Sequence, residues 1–327
     1  MIIAEIGSVH DGSLGNALKA VEMASEVGAD AIKFQTHLAD YETLKEAPSP
    51  SYFNEESRYD YFQRTAFSLD DWKRIRQKAL DKDIKFISSP FSIEAVDLLE
   101  EVGMDIYKIP SGEVSNIPLL EKIANLKKTV LLSTGMSSWN EIDEAYEILS
   151  SHNSEVIIMQ CSSIYPCPPK EAGINIIKEI SNKYGTKVGF SDHTNRFAAS
   201  ICAAYSGADV IEKHLTFSKK MYGSDAKNSL EPHEFEAFVR EVKDAWEMRK
   251  FKVDKNDVSK YSAMKNVFEK SIVYSQNLFE GHIITISDLG FKKPGNGLKP
   301  NSYKSLLGKR LIKPVSYNDF VNFSDFQ

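Results

Sequence analysis

The stretch Asp209-Val210-Ile211-Glu212-Lys213-His214 is a short apolar run that ends in charged and polar residues. Eight such runs occur along the chain, and a helix-like segment follows each of them. A strand that is buried on both faces reads as a continuous apolar run. The eight runs are Ile2–Ile6, Asp30–Phe34, Lys85–Ser88, Asp105–Ile109, Thr129–Ser133, Glu155–Cys161, Lys187–Ser191 and Asp209–Lys213.

The order of these runs predicts the fold class. Eight strand–helix units close into a parallel α/β barrel, the (β/α)8 TIM barrel, whose active site lies at the C-terminal ends of the strands. We assign residues 1–249 to this catalytic barrel and the charged segment 250–267 to a linker. The last segment, 268–327, has turn signals such as Pro294-Gly295-Asn296-Gly297 and is predicted to be a small, mostly-β domain.

Capping residues and one long connection add local detail. Serine and asparagine side chains accept backbone N–H groups at helix starts. The expected caps are Ser13, Ser92, Asn116, Ser138 and Asn195. The connection from Thr36 to Ser68 is unusually long and rich in aromatic residues, which is typical of a lid or binding loop.

Composition and charge argue against several function classes. The 327 residues are 42% hydrophobic and 26% charged, as in an ordinary globular protein. A net charge of −6 offers no electrostatic footprint for nucleic acid, and no apolar stretch approaches the roughly 20 residues that cross a membrane. The chain opens directly into a strand without a signal-like start, and its three cysteines form no zinc or disulfide pattern. We therefore expect a cytoplasmic protein.

Two histidines follow adjacent predicted strands. Ser191-Asp192-His193-Thr194 ends strand seven, and Glu212-Lys213-His214 ends strand eight. Neighbouring strands are about 4.8 Å apart, so the two imidazoles can meet at one metal ion. Two imidazoles alone bind weakly, which leaves positions for water and substrate, as a catalytic metal requires. The alternative is a pair of hydrogen-bonded histidines in a polar mouth.

Two lysines, Lys33 and Lys108, lie at the ends of predicted strands two and four. A buried lysine is costly unless it is paired, so two lysines in one mouth indicate a bound phosphate or carboxylate. Serines near other strand ends would add hydroxyl donors: Ser89, Ser111, Ser133 and Ser191. Alternatively, the lysines form internal salt bridges to Glu5 and Glu113.

Three acidic residues complete the predicted mouth. Glu5 and Glu113 could transfer protons or bind hydroxyl groups, or they could serve only to neutralise the lysines. Asp225 lies on the loop after strand eight, where it could bind sugar hydroxyls or be an ordinary loop acid.

These motifs resemble the sialic acid (N-acetylneuraminate) synthase family of nonulosonic acid synthases, over nearly the whole chain. The tail motif Lys292-Lys293-Pro294-Gly295-Asn296-Gly297 resembles the antifreeze-like (SAF) domain of that family. The other matching motifs are Ile3–Gly7, Gly28–Thr36, Phe86–Phe91, Tyr107–Glu113, Leu132–Met136, Tyr165-Pro166, Gly189–Thr194 and Ile211–His214. Together these motifs are highly specific.

The resemblance implies the chemistry and the role of each site residue. Phosphoenolpyruvate would condense with an N-acylated hexose: its C3 attacks the sugar aldehyde, water adds at C2, and phosphate leaves by C–O cleavage. A divalent metal, Mn2+ or Mg2+, would bind His193 and His214. Phosphoenolpyruvate would contact Lys33, Ser89, Lys108, Ser111, Ser133 and Ser191. The sugar would contact Gln35, Tyr165, Asp225 and Lys293. The catalytic residues would be Glu5, Glu113 and Lys108.

The resemblance also implies a domain-swapped homodimer in which the tail domain caps the partner's barrel mouth. Two residues depart from the family pattern, because Ser163 stands where asparagine is usual and Lys293 where arginine is usual. Lysine cannot make the planar bidentate contact of arginine, so the acceptor stays open between an N-acetylmannosamine-like and a 2,4-diacetamido sugar. Two other functions also stay open: a Schiff-base aldolase that uses Lys108 or Lys33, and a non-catalytic sugar-phosphate-binding protein.

Overall fold

The computed structural model of the chain describes residues 1–48, 56–223 and 225–327. Its parallel strands form a closed barrel in chain order, and β1 closes the barrel by pairing with β8. The strands are β1 (Ile2–Gly7), β2 (Ala31–Thr36), β3 (Lys85–Pro90), β4 (Ile106–Ile109), β5 (Thr129–Ser133), β6 (Val156–Cys161), β7 (Val188–Asp192) and β8 (Val210–His214). The predicted (β/α)8 barrel is confirmed.

Helices connect these strands. They are α1 (Leu14–Glu26), α2 (Ala39–Glu42), α3 (Arg58–Thr65), α4 (Leu69–Asp81), α5 (Ile93–Val102), α6 (Ile117–Asn125), α7 (Trp139–Ser150), α8 (Ile174–Tyr184), α9 (Ala198–Ser206) and α10 (Pro232–Lys250). The side chains of Ser13, Ser92, Asn116 and Ser138 cap α1, α5, α6 and α7 as predicted. The prediction for Asn195 is wrong, because the chain bends through Phe197 before α9 begins and no side chain caps that helix.

The alternation of side chains along the strands explains why polar residues converge inside the barrel. One layer of residues forms a separate buried apolar cluster: Ile3, Ala31, Ile87, Leu131, Ile157, Met159 and Val210. Residues two positions further along a strand point to the same side. At those positions the chain has Glu5, Lys33, Ser89, Ser133 and Glu212. The apolar layer therefore lies beneath a polar layer at the C-terminal mouth.

The chain divides into two compact units, Met1–Lys252 and Val253–Gln327. The second unit has its own buried apolar cluster, which includes Ile272, Leu311 and Val321. It contains helix α11 (Ser262–Phe268) and two antiparallel strands, β9 (Ser271–Tyr274) and β10 (Leu289–Lys292). The segment predicted to be a linker, 250–267, thus includes most of a short helix.

The long connection after β2 contains α2 and α3, and its residues 49–55 lie outside the described part of the chain. Ala39 of α2 is buried together with Tyr61 and Phe62 of α3. This packing holds α3 close to the end of β2. Within the described residues, no helix combines the length and apolar character needed to cross a membrane.

Candidate active site

A cavity of about 310 Å³ opens at the C-terminal ends of the barrel strands, within the first unit. Most residues predicted from the sequence line this cavity. They are Glu5, Lys33, Gln35, Ser89, Lys108, Ser111, Ser133, Tyr165, Ser191, His193, His214 and Asp225. Of the other predicted residues, Glu113 does not line it, and Lys293 belongs to the second unit.

The floor of the cavity is a buried network of two lysines and two glutamates. Lys33 Nζ lies 2.8 Å from Glu5 Oε2 and 3.7 Å from Glu212 Oε1. Lys108 Nζ donates to Glu212 Oε2 at 2.8 Å. No side chain of the four is more than 6% exposed, so their charges interact in a low-dielectric environment.

This network meets the salt-bridge alternative for the lysines only in part, and their binding of an anion stays a prediction. Lys33 pairs with Glu5, as the salt-bridge alternative expects, but Lys108 pairs with Glu212 and not with Glu113. Glu212 has no predicted role, although its position two residues after Val210 places it on the inward side of β8. Burial would raise the pKa of Glu212, but Lys108 and Lys33 outweigh burial and hold that pKa at about 2.

Burial lowers the pKa of both lysines, but the net shift of the pKa differs between them. Burial lowers the pKa of Lys33, but attraction to Glu212 and Glu5 outweighs it, and the pKa is raised overall. Burial also lowers the pKa of Lys108, and repulsion from Lys33 offsets part of the attraction to Glu212, so this pKa stays below its ordinary value. Lys33 is therefore the more firmly protonated cation of the pair.

Glu113 lies in a short turn after β4. Its Oε2 accepts a hydrogen bond from Asn116 Nδ2 at 2.7 Å, and Asn116 is also the cap of α6. Burial raises the pKa of the Glu113 carboxyl. In this conformation Glu113 is held at the start of α6 and not in the cavity wall, and its catalytic role stays a prediction.

The imidazole rings of His193 and His214 have centroids 5.8 Å apart. His193 Nδ1 lies 2.6 Å from the carbonyl oxygen of Ser162, which can only accept, so Nδ1 carries the proton. His193 Nε2 therefore accepts from the Tyr165 hydroxyl at 2.9 Å. Burial and the neighbouring His214 lower the pKa of His193 to about 3, so this ring is neutral at neutral pH.

These two histidines could hold a metal ion. Metal-binding histidines commonly donate the other ring N–H to a carbonyl group, as His193 does to Ser162. Nδ1 of His214 is buried and has no hydrogen-bond partner among the described residues. Those residues include no cluster of three or more His, Cys, Asp or Glu side chains suited to a metal, so water and substrate would supply the remaining ligands.

A second buried ion pair supports the loop that carries His193. Lys213 Nζ lies 3.1 Å from Asp192 Oδ2, and both side chains are almost fully buried. Asp192 Oδ1 accepts the Thr194 N–H, and Lys213 Nζ donates to the Thr194 carbonyl, each at 2.8 Å. These bonds hold the backbone on both sides of His193, while Ser162 and Tyr165 hold its ring.

Two of the residues predicted to bind the sugar, Gln35 and Asp225, lie beside the C-terminal end of β1. Gln35 Nε2 donates to Glu5 Oε1 at 2.8 Å. The other carboxylate oxygen of Glu5, Oε2, is buried and lies 2.8 Å from Lys33 Nζ. Asp225 approaches Gly7 closely, where a β-carbon would collide with the Asp225 carboxylate.

Several cavity residues have no predicted role in binding or catalysis. They are Ser8, His37, Arg58, Tyr61, Phe62, Phe91, Ser163 and Asn228, among others. Four of these lie on the connection from 36 to 68, whose length and aromatic content mark it as a binding loop. Lys293, in contrast, has its ammonium group 5.2 Å from the centroid of the Phe268 ring in the second unit. Its contact with the sugar stays a prediction.

The fold and this site define a (β/α)8-barrel protein with a buried, charge-compensated site for a small polar ligand. The NeuB family profile matches residues 20–254, and the SAF domain profile matches residues 269–327. The chain therefore belongs to the NeuB family, which confirms the resemblance inferred from its motifs.

Similar proteins are synthases of nonulosonic acids. N,N'-diacetyllegionaminic acid synthase of Campylobacter jejuni subsp. jejuni is 35% identical over 329 residues, which cover 98% of each chain. Pseudaminic acid synthase of the same subspecies is 32% identical and covers 100% of this chain and 96% of its own. The crystal structure of N-acetylneuraminic acid (sialic acid) synthetase from Leptospira borgpetersenii matches with a TM-score of 0.71 and 30% identity, over 80% of this chain and 89% of that one.

The buried network predicts the stability of a Glu212→Gln variant. Without Glu212, Lys108 loses its partner and Lys33 loses part of its compensation, so we expect the free energy of unfolding to fall by about 3–5 kcal/mol. The pKa of Glu212 is about 2 when folded and about 4.3 when unfolded. The stabilisation by Glu212 is therefore complete above the unfolded pKa and is lost as pH falls towards the folded pKa.

Urea unfolding across this pH range measures the effect. The difference between wild type and Glu212→Gln should be largest near neutral pH and shrink below about pH 4. Glu155→Gln is the control, because Glu155 forms an exposed pair with Lys187 and should change stability by less than about 1 kcal/mol. A Glu212→Gln variant as stable as this control would contradict the role of the network.

Proposed function

We propose that this protein is a nonulosonic acid synthase. It condenses phosphoenolpyruvate with an N-acylated hexose to give a nine-carbon, sialic-acid-like 2-keto acid and phosphate. The observation that carries the proposal is the lysine–glutamate floor of the barrel mouth, which is surrounded by serine hydroxyls in a chain of the NeuB family. We also propose a cytoplasmic location, which the three free cysteines support.

The anionic end of phosphoenolpyruvate fits the region around Lys33 and Lys108. Their ammonium groups can form charge-assisted hydrogen bonds to phosphate and carboxylate oxygens. Ser111 Oγ accepts the Gly135 N–H at 3.0 Å, an arrangement that keeps its hydroxyl beside the loop after β5. Ser89, Ser133 and Ser191 also line the cavity and add further donors.

The chain's own residues can handle the protons of the condensation. When C3 of phosphoenolpyruvate attacks the aldehyde carbon, the aldehyde oxygen gains a proton, and the water that adds at C2 loses one. Glu5 is a candidate for proton transfer because its carboxylate lines the cavity beside the Lys33 ammonium, which can supply or accept a proton through it. Glu113 is a second candidate, since burial raises its pKa and favours the protonated form. Phosphate then departs with the electrons of its C–O bond, and the C2 hydroxyl gives its remaining proton to the phosphate, which leaves the 2-keto group.

A divalent metal, Mn2+ or Mg2+, is part of the proposal. Bound at His193 and His214, it supplies Lewis-acid polarisation of the aldehyde oxygen. The neutral ring of His193, whose Nδ1 donates to a carbonyl group, supports this site. So does Nδ1 of His214, which has no hydrogen-bond partner in the part of the chain that the structure describes. Charge supports it as well, because Glu5 and Glu212 already compensate Lys33 and Lys108, so an anionic substrate gains from an additional cation.

The acceptor sugar is proposed to be an N-acetylmannosamine-like or a 2,4-diacetamido hexose. Gln35, Tyr165 and Asp225 line the cavity and offer amide, hydroxyl and carboxylate groups to its hydroxyls. Ser163 is shorter than the asparagine that is usual in the family, and it also lines the cavity. A serine in place of asparagine alters the space available to a substituent of the sugar, and it leaves the lysine–glutamate floor unchanged.

Phosphate release tests the proposed reaction. Purified protein should release phosphate from phosphoenolpyruvate only when an N-acylated hexose from a panel of 2-acetamido and 2,4-diacetamido sugars is present. Lys108→Met should raise the KM for phosphoenolpyruvate about tenfold or more, because one charge-assisted contact is lost, with a smaller effect on the sugar. Failure with every sugar, or a substrate adduct trapped by borohydride, would favour the non-catalytic or Schiff-base alternative.

Direct Mn2+ binding tests the metal site without relying on activity. We expect His193→Ala and His214→Ala each to weaken Mn2+ binding by more than about tenfold, since each removes a ligand. Titration calorimetry measures the affinity, and circular dichroism checks the fold. His152→Ala is the control, because His152 is exposed on a turn. Unchanged Mn2+ affinity in both site variants would rule out the assignment.

We further propose a homodimer in which the second unit completes the partner's active site, with Lys293 near the acyl group of the sugar. Because the second unit has its own apolar core, it can be removed without exposing the core of the barrel. A chain that ends at Lys252 should fold but have little activity. Mixing it with full-length His214→Ala protein should restore part of the activity if the second unit acts in trans. A truncated chain that is fully active as a monomer would contradict this arrangement.

A further inference from the structure

His37 is a buried histidine in the cavity wall with hydrogen-bond partners on both sides of its ring. Nδ1 lies 2.7 Å from Glu42 Oε1, and Nε2 lies 3.1 Å from the side-chain oxygen of Gln35. The side chains of His37 and Glu42 are 5% and 4% exposed. Glu42 also accepts the Leu38 N–H through its other carboxylate oxygen at 3.2 Å, so α2 fixes its position.

The hydrogen bonds of Gln35 determine which end of its amide faces His37. Gln35 Nε2 donates to Glu5 Oε1 at 2.8 Å. A carboxylate only accepts, so the amide nitrogen must face Glu5 and the amide oxygen must face His37. A flipped amide would place two acceptors against each other.

Two acceptors therefore face the two ring nitrogens of His37. A neutral imidazole has one N–H and can satisfy only one of them, whereas an imidazolium satisfies both. The separation of 2.7 Å between Nδ1 and Glu42 is that of a charge-assisted hydrogen bond. The rings of Phe62 and Phe91 stack on the His37 ring, with centroids 3.6 Å and 4.1 Å from its own. The faces of aromatic rings attract a cation, so this packing favours the imidazolium.

Charged groups of both signs and one further histidine lie near this ring. Arg58 lies 5.2 Å from the Phe62 centroid, and Glu113 is close enough to His37 and Glu42 for their charges to act on it. His10 accepts the Gly12 N–H through Nδ1, and burial together with His37 lowers its pKa to about 3. His10 is thus neutral and does not compete for the charge.

We propose that His37 is a positioning residue: a buried imidazolium, held by Glu42, that fixes the amide of Gln35 for the sugar substrate. One amide N–H of Gln35 goes to Glu5, and the second is then directed at the cavity that Gln35 lines. The inference rests on the proposed function, because Gln35 is one of the residues expected to bind the sugar. Glu42, which does not line the cavity, acts on the substrate only through His37 and Gln35.

Kinetics of a His37→Phe variant test this role. Phenylalanine keeps the aromatic stack but has no N–H, so the Gln35 amide oxygen loses its donor and the amide loses its fixed orientation. We expect the KM for the sugar to rise about tenfold, with little change in the KM for phosphoenolpyruvate. Glu46→Gln removes one charge from the same connection at an exposed position and should leave both KM values unchanged. Equal loss for the two substrates would overturn the proposal.

Nitrogen-15 NMR of the histidine rings gives a readout that does not depend on turnover. His37 in the wild type should show two protonated ring nitrogens at neutral pH, and His37→Phe, which keeps the aromatic stack, identifies its signals. In Glu42→Gln one of the two N–H signals should disappear. A neutral His37 in an active wild-type enzyme would overturn this inference alone. A doubly protonated His37 in a protein that never releases phosphate would instead contradict the proposed function.

Discussion

The site depends on charge compensation beneath the barrel mouth. Moving a single ion from water into the interior costs several kcal/mol, so Lys33 and Lys108 remain charged there only because Glu5 and Glu212 lie within ion-pair distance. The sheet register produces this proximity, since Glu5 pairs with Lys33 on one side of β1 and with His214 on the other. Closure of the barrel through β1 and β8 is thus what brings the floor and the histidine pair together.

Strand β8 shows how one short segment supports several of these contacts. Glu212 and His214 line the cavity, while Lys213 between them reaches Asp192 and the Thr194 carbonyl. This follows from the alternation of side chains along a strand. Three consecutive residues therefore compensate the lysines, support the loop of His193 and supply the second imidazole. A shift of register by one residue would exchange the inward and outward sets.

The sequence predicted the barrel and most cavity residues because both follow from local rules: buried strands read as apolar runs, and their C-terminal residues converge. It could not predict which carboxylate compensates Lys108, since Glu113 and Glu212 both follow strand-like runs and only the folded geometry separates them. Asn195 has the right residue type for a cap, but the bend through Phe197 moves the helix start away from it. The sequence did not predict a role for His37, because a single histidine in a long connection forms no recognisable motif with other residues.

The lysine–glutamate floor and the His37–Glu42 pair follow one rule: charges that this barrel buries are buried as compensated pairs. Because each charge already has a partner at close range, such pairs attract a ligand less strongly than uncompensated charges would. These pairs also contribute specificity, because two paired side chains hold their remaining hydrogen-bond donors and acceptors at defined positions. Binding of the proposed anionic substrate would therefore depend on where the hydrogen-bond donors point and on any further positive charge in the site. The polar floor is built into the strands, whereas part of the cavity wall comes from the connection after β2, so the two are encoded by separate segments of the chain.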